Sequence, residues 1–395
     1  MNRSCPKLLV ATEFPPNALG GGPAVVRQML KGWPAERLVW WSCLPDQQSC
    51  EFKVESHRIA YIPKKLYPHE RLLRPKVWIL HHLWSRWATR HLRVTVARHQ
   101  PDVIWAIPHQ WSILPLAKVL PTGRPGYHIS VHDYPAHHLE QKIGLKMTNR
   151  LDLLLDHLYQ KAASRDAICQ EMATDLKQRT GRSAEEIFNS GVEPEDFAYL
   201  EQKRPRNGAT IKIAHAGTIT AETTFVQLVQ SLERVRKKLS RGVEMHLFGA
   251  HVYRDKSWFR AEWMIEHGNA SEERLRMELR QCDWGVSPME LTSENPRYNR
   301  FSLPSKTVKY LAAGLPIIVL GHRDSTVIHL ARRYSFGVNI EDNDPEIMED
   351  LLLQRLGERD IWARYRDEIL RCARSEFDAT RMRTRLHKAL AAEVT

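Results

Sequence analysis

The chain has 395 residues, of which 43% are apolar and 26% are charged. This composition excludes a disordered chain, and the length exceeds what one hydrophobic core usually serves, so we expect two domains. The net charge of +12 indicates an anionic partner, which could be a nucleic acid, a membrane surface or a phosphorylated substrate.

Neither a membrane-spanning segment nor a cysteine framework is evident. No apolar run approaches the roughly 18 residues of a spanning helix, and Leu8–Ala11 is too short for the apolar region of a signal peptide. The six cysteines include no Cys-x-x-Cys pair, which argues against disulfides and a zinc site. We therefore expect a cytoplasmic protein with reduced cysteines.

The first predicted elements are a strand, a glycine-rich loop and a helix. Residues 7–12 are predicted to form a buried strand and residues 25–33 a helix, with Gly20, Gly21 and Gly22 in the loop between them. Glycines let the backbone approach a ligand at the carboxyl end of the strand, where open α/β sheets place their sites. A flexible turn is the alternative, since the pattern is not a GxGxxG fingerprint.

Residues 61–100 combine basic and aromatic side chains. The stretch contains nine Lys or Arg residues and only one acidic residue, Glu70. Trp78, Trp84 and Trp87 lie among the basic residues. Tryptophan prefers the headgroup region, and each basic residue near an anionic membrane contributes on the order of 1 kcal/mol, so the stretch suits a lipid surface. A packed helix is the alternative. Its apolar stripe would comprise Val77, Leu80, Trp84, Trp87, His91 and Val94.

Two more strands are predicted over residues 101–107 and 128–131, and the second delivers His132 and Asp133 to its carboxyl end. Imidazole can bind a hydroxyl group or carry a proton near neutral pH, and the neighbouring carboxylate is expected to raise the pKa of His132. His137 and His138 are alternatives for this role, and a lone histidine is more often structural.

The alternation of predicted strands and helices continues with a strand over 166–169, a helix over 171–179 and a strand over 187–188. Residues 193–208 then carry two prolines, several charges and few apolar side chains, which is typical of a linker between domains.

A second α/β unit is predicted to begin with a strand over 211–217. We therefore expect an N-terminal domain at 1–195, a C-terminal domain at 196–375 and a closing helix at 376–395. Further strands are predicted over 244–249, 263–268, 283–288 and 316–320.

A site for an anion is predicted at the start of a helix near residue 305. Pro304 suits the first helical turn, and the backbone N–H groups from Ser305 onward would point outward as a partial positive charge. Lys306 adds a full positive charge, and Gly314 ends the helix. Such a helix start commonly binds phosphate.

Several of these stretches resemble the GT-B glycosyltransferases, in particular the retaining family 4 (glycosyl transferases group 1). The pattern PSK…YLAAG.PII falls within 302–320, "YQKAASRDAICQEMATDLKQRTGRSAEEIFNSGVEPEDF" starts at Tyr159, and "EFPP…GGG…VVRQMLKGW" spans 13–33. His132-Asp133 resembles the His-Asp motif of the superfamily. The resemblance covers nearly the whole chain. It implies an α/β fold of two facing Rossmann-like domains, a deep cleft between them, and a C-terminal helix crossing back to the N-terminal domain.

The resemblance also implies site residues. His132, Asp133 and Lys306 would be catalytic, the acceptor would bind the first domain and a nucleotide-diphosphate sugar the second. No metal or other cofactor is implied. The donor-binding residues would be Gly20, Gly21, Gly22, Gly217, Thr218, Glu290, Glu294, Arg300, Pro304, Ser305, Lys306 and Lys309.

The sequence departs from the family at charged positions. Many relatives supply an arginine and a lysine where this chain has Thr218 and Thr223. Where the family often has two glutamates eight residues apart, this chain has Phe301 and Lys309.

We expect other residues to take over these roles. Lys306, with Arg300 or Arg297, would supply the positive charge, and Glu290 or Glu294 would supply the carboxylate.

The predicted function is a retaining glycosyltransferase that acts on a lipid-linked glycan in bacterial surface polysaccharide synthesis, in the cytoplasm or on the inner membrane face. A catalytically inert relative, which binds sugar nucleotide or partners another transferase, is the alternative because of the missing charges. A nucleotide-sugar 2-epimerase would need a clear acid and base carboxylate pair. A nucleic-acid binder is disfavoured because no nucleic-acid module is found.

Overall fold

The computed structural model describes residues 5–18, 20–45, 51–66, 72–134, 143–202, 208–292, 296–358 and 360–392. The chain divides into two compact units. The first comprises Met1–Asn189 with Arg381–Thr395, and the second comprises Ser190–Thr380. Each unit contains one parallel sheet with helices, which confirms the predicted α/β class.

The first unit contains a seven-stranded parallel sheet in the order β3-β2-β1-β4-β5-β6-β7. Its central strands β1 and β4 are fully buried, as expected of apolar runs covered on both faces. The strands are β1 Leu8–Ala11, β2 Leu38–Ser42, β3 Ser56–Ile59, β4 Val103–Ala106, β5 Tyr127–Val131, β6 Ser164–Ala167 and β7 Glu186–Ile187.

In the described part of the first unit, six α-helices lie between these strands, and a last helix closes the unit. Met382, Leu386 and Leu390 of that last helix pack into the core around β1. The helices are α1 Gly21–Met29, α2 Leu73–Ile79, α3 Ser85–His99, α4 Ile113–Val119, α5 Leu145–Lys161, α6 Gln170–Thr180 and, at the chain's end, α15 Ala379–Ala392. Short 3-10 turns occupy Ala35–Arg37, Lys64–Leu66, Gln110–Ser112 and Leu120–Thr122.

A π-helical turn, Leu80–Trp84, joins α2 to α3. Val77, Leu80 and Trp84 are buried as the apolar stripe predicted, but Trp87 and Val94 are 47% and 52% exposed. The second half of the predicted stripe is therefore wrong. The residues of the stripe are spaced on average by less than the 3.6 residues of an α-helical turn, and the π turn has more residues per turn still. The later residues of the stripe therefore lie outside the buried face.

The second unit contains a six-stranded parallel sheet in the order β10-β9-β8-β11-β12-β13. The strands are β8 Thr210–Ala216, β9 Gly242–Phe248, β10 Met264–Gly268, β11 Trp284–Pro288, β12 Ile317–Leu320 and β13 Gly337–Ile340. The helices are α7 Pro194–Glu201, α8 Glu222–Lys238, α9 Glu272–Leu279, α10 Pro296–Phe301, α11 Ser305–Ala312, α12 Thr326–Tyr334, α13 Pro345–Leu356 and α14 Ile361–Glu376.

Helix α11 is fixed to the sheet by Tyr310. Its hydroxyl oxygen accepts a hydrogen bond from the Ala216 N–H of β8 at 2.8 Å, and its ring fills the space over Gly285 of β11. Gly314 has φ +72° and ends the helix as predicted. Pro304, however, is the N-cap residue and not part of the first turn, since its ψ of 123° is extended.

Among the residues that the structure describes, no helix is long and apolar enough to cross a bilayer.

Gly285→Ala tests the packing of Tyr310. A Cβ at position 285 would lie 2.4 Å from Tyr310 Cγ, so the ring must move, and we expect a loss of about 1–3 kcal/mol in the free energy of unfolding. Gly208→Ala is the control, because its Cβ would meet no atom nearer than 3.4 Å. Urea unfolding of both variants measures the difference. Equal stability of the two variants would contradict the packing described.

Candidate functional site

Lys306 lies in the first turn of α11 and reaches the loop after β8. Its Nζ donates to the Thr218 carbonyl oxygen at 3.0 Å and lies 3.1 Å from His215 Nε2. An ammonium group has only donors, so Nε2 of His215 accepts and the ring proton is on Nδ1. One of the three ammonium N–H groups remains to bind a ligand.

His215 is fully buried, and its Nδ1 has no hydrogen-bond partner among the described residues. Burial and the nearby charge of Lys306 hold the pKa of His215 well below its usual value. The imidazole is therefore neutral and orients the ammonium group by accepting one of its hydrogen bonds.

Burial lowers the pKa of Lys306 to about 7. Within the described ranges no carboxylate forms an ion pair with it. A partly desolvated cation without a carboxylate is less stable than one in water, and an anion at the remaining N–H would offset that cost.

The loop after β8 is held by backbone and side-chain contacts. Gly217 has φ +85°, which favours glycine, and its N–H donates to the Phe248 carbonyl oxygen at 2.7 Å. Thr218 Oγ1 lies 3.1 Å from His251 Nε2, and the Ile219 N–H donates to the Tyr253 hydroxyl oxygen at 3.1 Å. The predicted residues Gly217, Thr218 and Lys306 therefore lie together.

Other predicted donor residues lie on α11 and after β11. Ser305 begins α11, and no described side chain caps its N-terminus. Lys309 lies one turn further along and is half-buried. Glu290 follows β11, and its carbonyl oxygen accepts from the His322 N–H at 3.0 Å.

The guanidinium group of Arg300 lies 5.4 Å from the centre of the Phe301 ring, so it stacks on the neighbouring side chain. Arg297 also lies on α10. Glu294, the other candidate carboxylate, lies outside the described residues.

The glycine-rich loop of the first unit is shorter than predicted. Helix α1 begins at Gly21, so Gly21 and Gly22 belong to its first turn, and only Gly20 remains before it, with φ +122°. Pro23 suits this early position because it needs no amide donor there. Arg27 Nη1 then ties the helix to the loop by donating to the carbonyl oxygens of Pro16 and Ala18 at 2.9 and 2.7 Å.

His132 follows β5 and is 6% exposed. Asp133 favours a higher pKa, as expected, but burial outweighs the charges of Asp166 and Asp133, so the pKa of His132 is lowered overall. His132 is therefore neutral, and its Nδ1 has no partner within the described part of the chain. His137 and His138 lie outside that part.

Sequence reasoning missed two residues next to Asp133. Glu13 follows β1 and His109 follows β4, and His109 Nδ1 lies 2.7 Å from Glu13 Oε2. His109 Nε2 lies 4.0 Å from Asp133 Oδ2. Burial alone would lower the pKa of His109, but the hydrogen bond and charge of Glu13 and the charge of Asp133 together raise it. The rule that selected His132, a polar residue after a buried strand, would have found both.

A buried Ser–His–Asp set lies behind this cluster. His128 Nδ1 is 2.8 Å from Ser164 Oγ, and its Nε2 is 2.7 Å from Asp166 Oδ2. These side chains are nearly or completely shielded from solvent, so no substrate reaches them. The set joins β5 to β6 and places the Asp166 carboxylate near His132.

No protein-family model matches the sequence, and no curated protein matches it. Solved structures do match. HepE of Anabaena, in complex with UDP and glucose, is 13% identical, with a TM-score of 0.66 over 98% of this chain and 100% of that chain. WaaG, a glycosyltransferase involved in lipopolysaccharide biosynthesis, is 11% identical, with a TM-score of 0.64 over 97% and 99%. Sucrose-phosphate synthase of Thermosynechococcus elongatus is 13% identical, with a TM-score of 0.68 over 98% of each chain.

At these identities the likeness shows the fold alone. The chain has the GT-B fold, in agreement with the fold class predicted from the sequence.

Lys306→Met tests the lowered pKa of Lys306 through the pH dependence of stability. The pKa of Lys306 is about 7 in the folded protein and about 10.4 in an unfolded chain, so the unfolded state binds more protons between these values. Stability from this group therefore rises with pH across that window, by up to about 1.4 kcal/mol per pH unit. The variant lacks this rise, so its stability relative to wild type should fall from pH 7 to pH 10.

Urea unfolding at several pH values provides the measurement, and Lys309→Met controls for loss of a lysine on the same helix. Parallel stability curves for wild type and Lys306→Met would contradict the lowered pKa of Lys306.

Proposed function

We propose that the protein is a retaining glycosyltransferase that moves a sugar from a nucleotide-diphosphate donor to an acceptor. The observation that carries the proposal is Lys306: a half-buried ammonium group with a lowered pKa and without a carboxylate partner in the described chain, at the start of a helix and beside the Gly217–Thr218 loop. Glycosyl transfer needs a group of this kind, because negative charge grows on the diphosphate as the bond to the sugar breaks.

The second unit can stabilise the leaving diphosphate in two ways. Lys306 donates its remaining N–H to a phosphate oxygen, and the uncapped amide groups at the start of α11 add the positive end of the helix dipole. A bound diphosphate also raises the pKa of Lys306 and so fixes its positive charge. No step in this scheme requires a metal.

The first unit supplies a neutral His132 for the acceptor. A neutral imidazole can donate or accept one hydrogen bond at a reacting hydroxyl group without carrying charge into the site. Retention of configuration is proposed from the family resemblance.

A catalytically inert sugar-nucleotide binder is the second candidate. Phe301 is buried and Lys309 is basic, so neither supplies the carboxylate that the family motif has at these positions. In the transferase proposal, Glu290 takes that role. Turnover of the bound donor separates the two candidates.

A nucleotide screen tests the proposal. UDP, GDP, ADP and their sugars are titrated against wild type and Lys306→Met by calorimetry. We expect one nucleotide to bind, and the variant to lose at least about tenfold in affinity, because a charge-assisted hydrogen bond contributes about 1.5–3 kcal/mol. Lys238→Met is the control, since Lys238 is an exposed lysine paired with Glu349 in the same unit.

Failure of every nucleotide to bind would overturn the proposal. Binding without slow hydrolysis or transfer would favour the inert relative. For an active enzyme, the anomeric configuration of the product, read by NMR, tests retention.

We further propose that the acceptor is lipid-linked and that the first unit meets an anionic bilayer, as in bacterial surface polysaccharide synthesis. The region from the residue before α2 to the end of α3 exposes five large apolar residues. Leu72, Trp78, Leu83, Trp87 and Val94 are 73%, 55%, 53%, 47% and 52% exposed.

Basic side chains accompany this apolar surface. Arg74, Arg86, Arg90 and Arg93 are exposed on α2 and α3, and Lys118 of α4 donates to Ser85 Oγ at 3.1 Å. The charges of Arg86 and Arg150 add to burial in lowering the pKa of Lys118. Clustered cations of this kind favour an anionic partner, and the exposed tryptophans favour a bilayer.

Vesicle co-sedimentation tests the membrane proposal. We expect the protein to bind vesicles rich in phosphatidylglycerol and to bind phosphatidylcholine vesicles at least about tenfold more weakly, because each basic residue contributes roughly 1 kcal/mol. The double variant Trp78→Ala/Trp87→Ala should bind the phosphatidylglycerol vesicles more weakly than wild type. Met277→Ala, which removes an exposed apolar residue from the second unit, should bind them as wild type does. Equal binding by the Trp variant and the control would contradict this surface.

A further inference from the structure

A buried hydrogen-bond network converges on Asp166 of β6. His128 Nε2 lies 2.7 Å from Asp166 Oδ2, and the Ser130 hydroxyl group donates to the same oxygen at 2.6 Å. Trp105 Nε1 donates to Ser130 Oγ at 2.7 Å, and because an indole N–H can only donate, the Ser130 proton is directed to Asp166. These four residues are no more than 1% exposed, so solvent does not reach the carboxyl group.

One oxygen of the Asp166 carboxyl group is not used by this network. Both hydrogen bonds go to Oδ2, whereas Oδ1 is buried and has no partner among the described residues. Burying a carboxylate is costly, and an uncharged side-chain oxygen would join β5 to β6 at a lower cost. The charge and the unpaired oxygen therefore indicate a role beyond joining the two strands.

His132 has a matching unpaired atom. It comes directly after β5, two residues beyond Ser130, and Ser130 is the register partner of Asp166. The ring nitrogen Nδ1 of His132 is buried and has no partner in the described part of the chain. The charges that act on His132 are those of Asp166, Asp133 and His109, and Asp166 has the largest effect of the three. The carboxylate that acts most strongly on the ring is thus on the neighbouring strand.

We propose that Asp166 is a positioning residue for His132: its carboxylate holds the ring proton on Nδ1, so that Nε2 is left as a hydrogen-bond acceptor. This inference rests on the proposed function, which places the acceptor's hydroxyl group at His132. It adds which ring nitrogen meets that hydroxyl group and which side chain fixes the choice. Asp166 itself touches no substrate, because it is fully buried.

The charge of Asp166 distinguishes the two neutral forms of the ring. Burial keeps His132 neutral, so the ring carries one proton, on either Nδ1 or Nε2. With the proton on Nδ1, an N–H dipole points into the interior, where the negative charge lies. With the proton on Nε2, a lone pair would point there instead, and no water would screen the repulsion. Asp166 therefore favours the Nδ1–H form.

The tautomer decides what His132 can do for an acceptor. An unprotonated Nε2 accepts a hydrogen bond from a hydroxyl group, and the hydroxyl oxygen then keeps its lone pairs for attack on the sugar. An Nε2–H group would instead donate to that oxygen and occupy one of those lone pairs. The form that Asp166 favours is the one that suits a reacting hydroxyl group.

Nitrogen NMR reads the tautomer without any ligand. The full chain is labelled with ¹⁵N-histidine, and the signals of His132 among the 19 histidines are assigned from their loss in His132→Gln. We expect wild type near neutral pH to show a protonated, pyrrole-type Nδ1 and an unprotonated, pyridine-type Nε2. The coupling of the ring protons to each nitrogen confirms which nitrogen is which.

Two variants separate positioning from strand joining. Asp166→Asn keeps an acceptor oxygen for Ser130 and His128 but removes the charge. We expect the ratio of Nδ1–H to Nε2–H forms to fall at least about tenfold, because a charge acts strongly over a short distance in the protein interior. Ser164→Ala removes the hydroxyl group that lies 2.8 Å from His128 Nδ1 and leaves the carboxylate in place. It should keep the wild-type ratio, even where both variants lose stability.

Two results would overturn the inference: Nε2–H as the main form in wild type, or an unchanged ratio in Asp166→Asn. The first result needs no variant, so it decides the matter even where Asp166→Asn does not fold. Because the tautomer is read without substrate, either result leaves nucleotide binding at Lys306 as proposed. Failure of wild type to bind any nucleotide would instead overturn the proposed function and leave the tautomer unchanged.

Discussion

The position of Tyr310 is the constraint on which the candidate donor site depends. Its hydroxyl oxygen accepts from β8 and its ring occupies the space that Gly285 leaves over β11, so α11 has one position against the sheet. Thr307 Oγ1, 3.1 Å from Ser287 Oγ, adds a second contact between α11 and β11. Lys306 lies one turn before Tyr310, and this anchoring brings its ammonium group to the loop after β8.

The two units use burial to set charge in different ways. In the second unit, burial destabilises the positive charge of Lys306. No carboxylate in the described chain pairs with this charge, so an anionic ligand is favoured. In the first unit, two carboxylates hold His109 toward its charged form, whereas burial keeps His132 neutral. Adjacent groups whose pKa values move in opposite directions are typical of sites that bind substrate or transfer protons.

Most of the fold could be predicted from the sequence because buried parallel strands are short apolar runs, and both sheets consist largely of such runs. Strand β2 went unpredicted although Leu38–Ser42 is a buried apolar run. The edge strand β3 went unpredicted because Ser56–Ile59 is half-exposed and has no apolar pattern. The stripe on α3 was wrong because a π turn changes the helical phase, and no residue type marks that turn. Lys306 was predicted from the chemistry of a helix start, but its contact with His215, 91 residues away, depends on tertiary structure.

A crystal structure with UDP bound tests the central claim most directly. We predict that a diphosphate oxygen lies within about 3 Å of Lys306 Nζ, at the start of α11, because this ammonium group has one donor left and no carboxylate partner in the described chain. A diphosphate bound elsewhere, with Lys306 still held only by His215 and Thr218, would contradict the account.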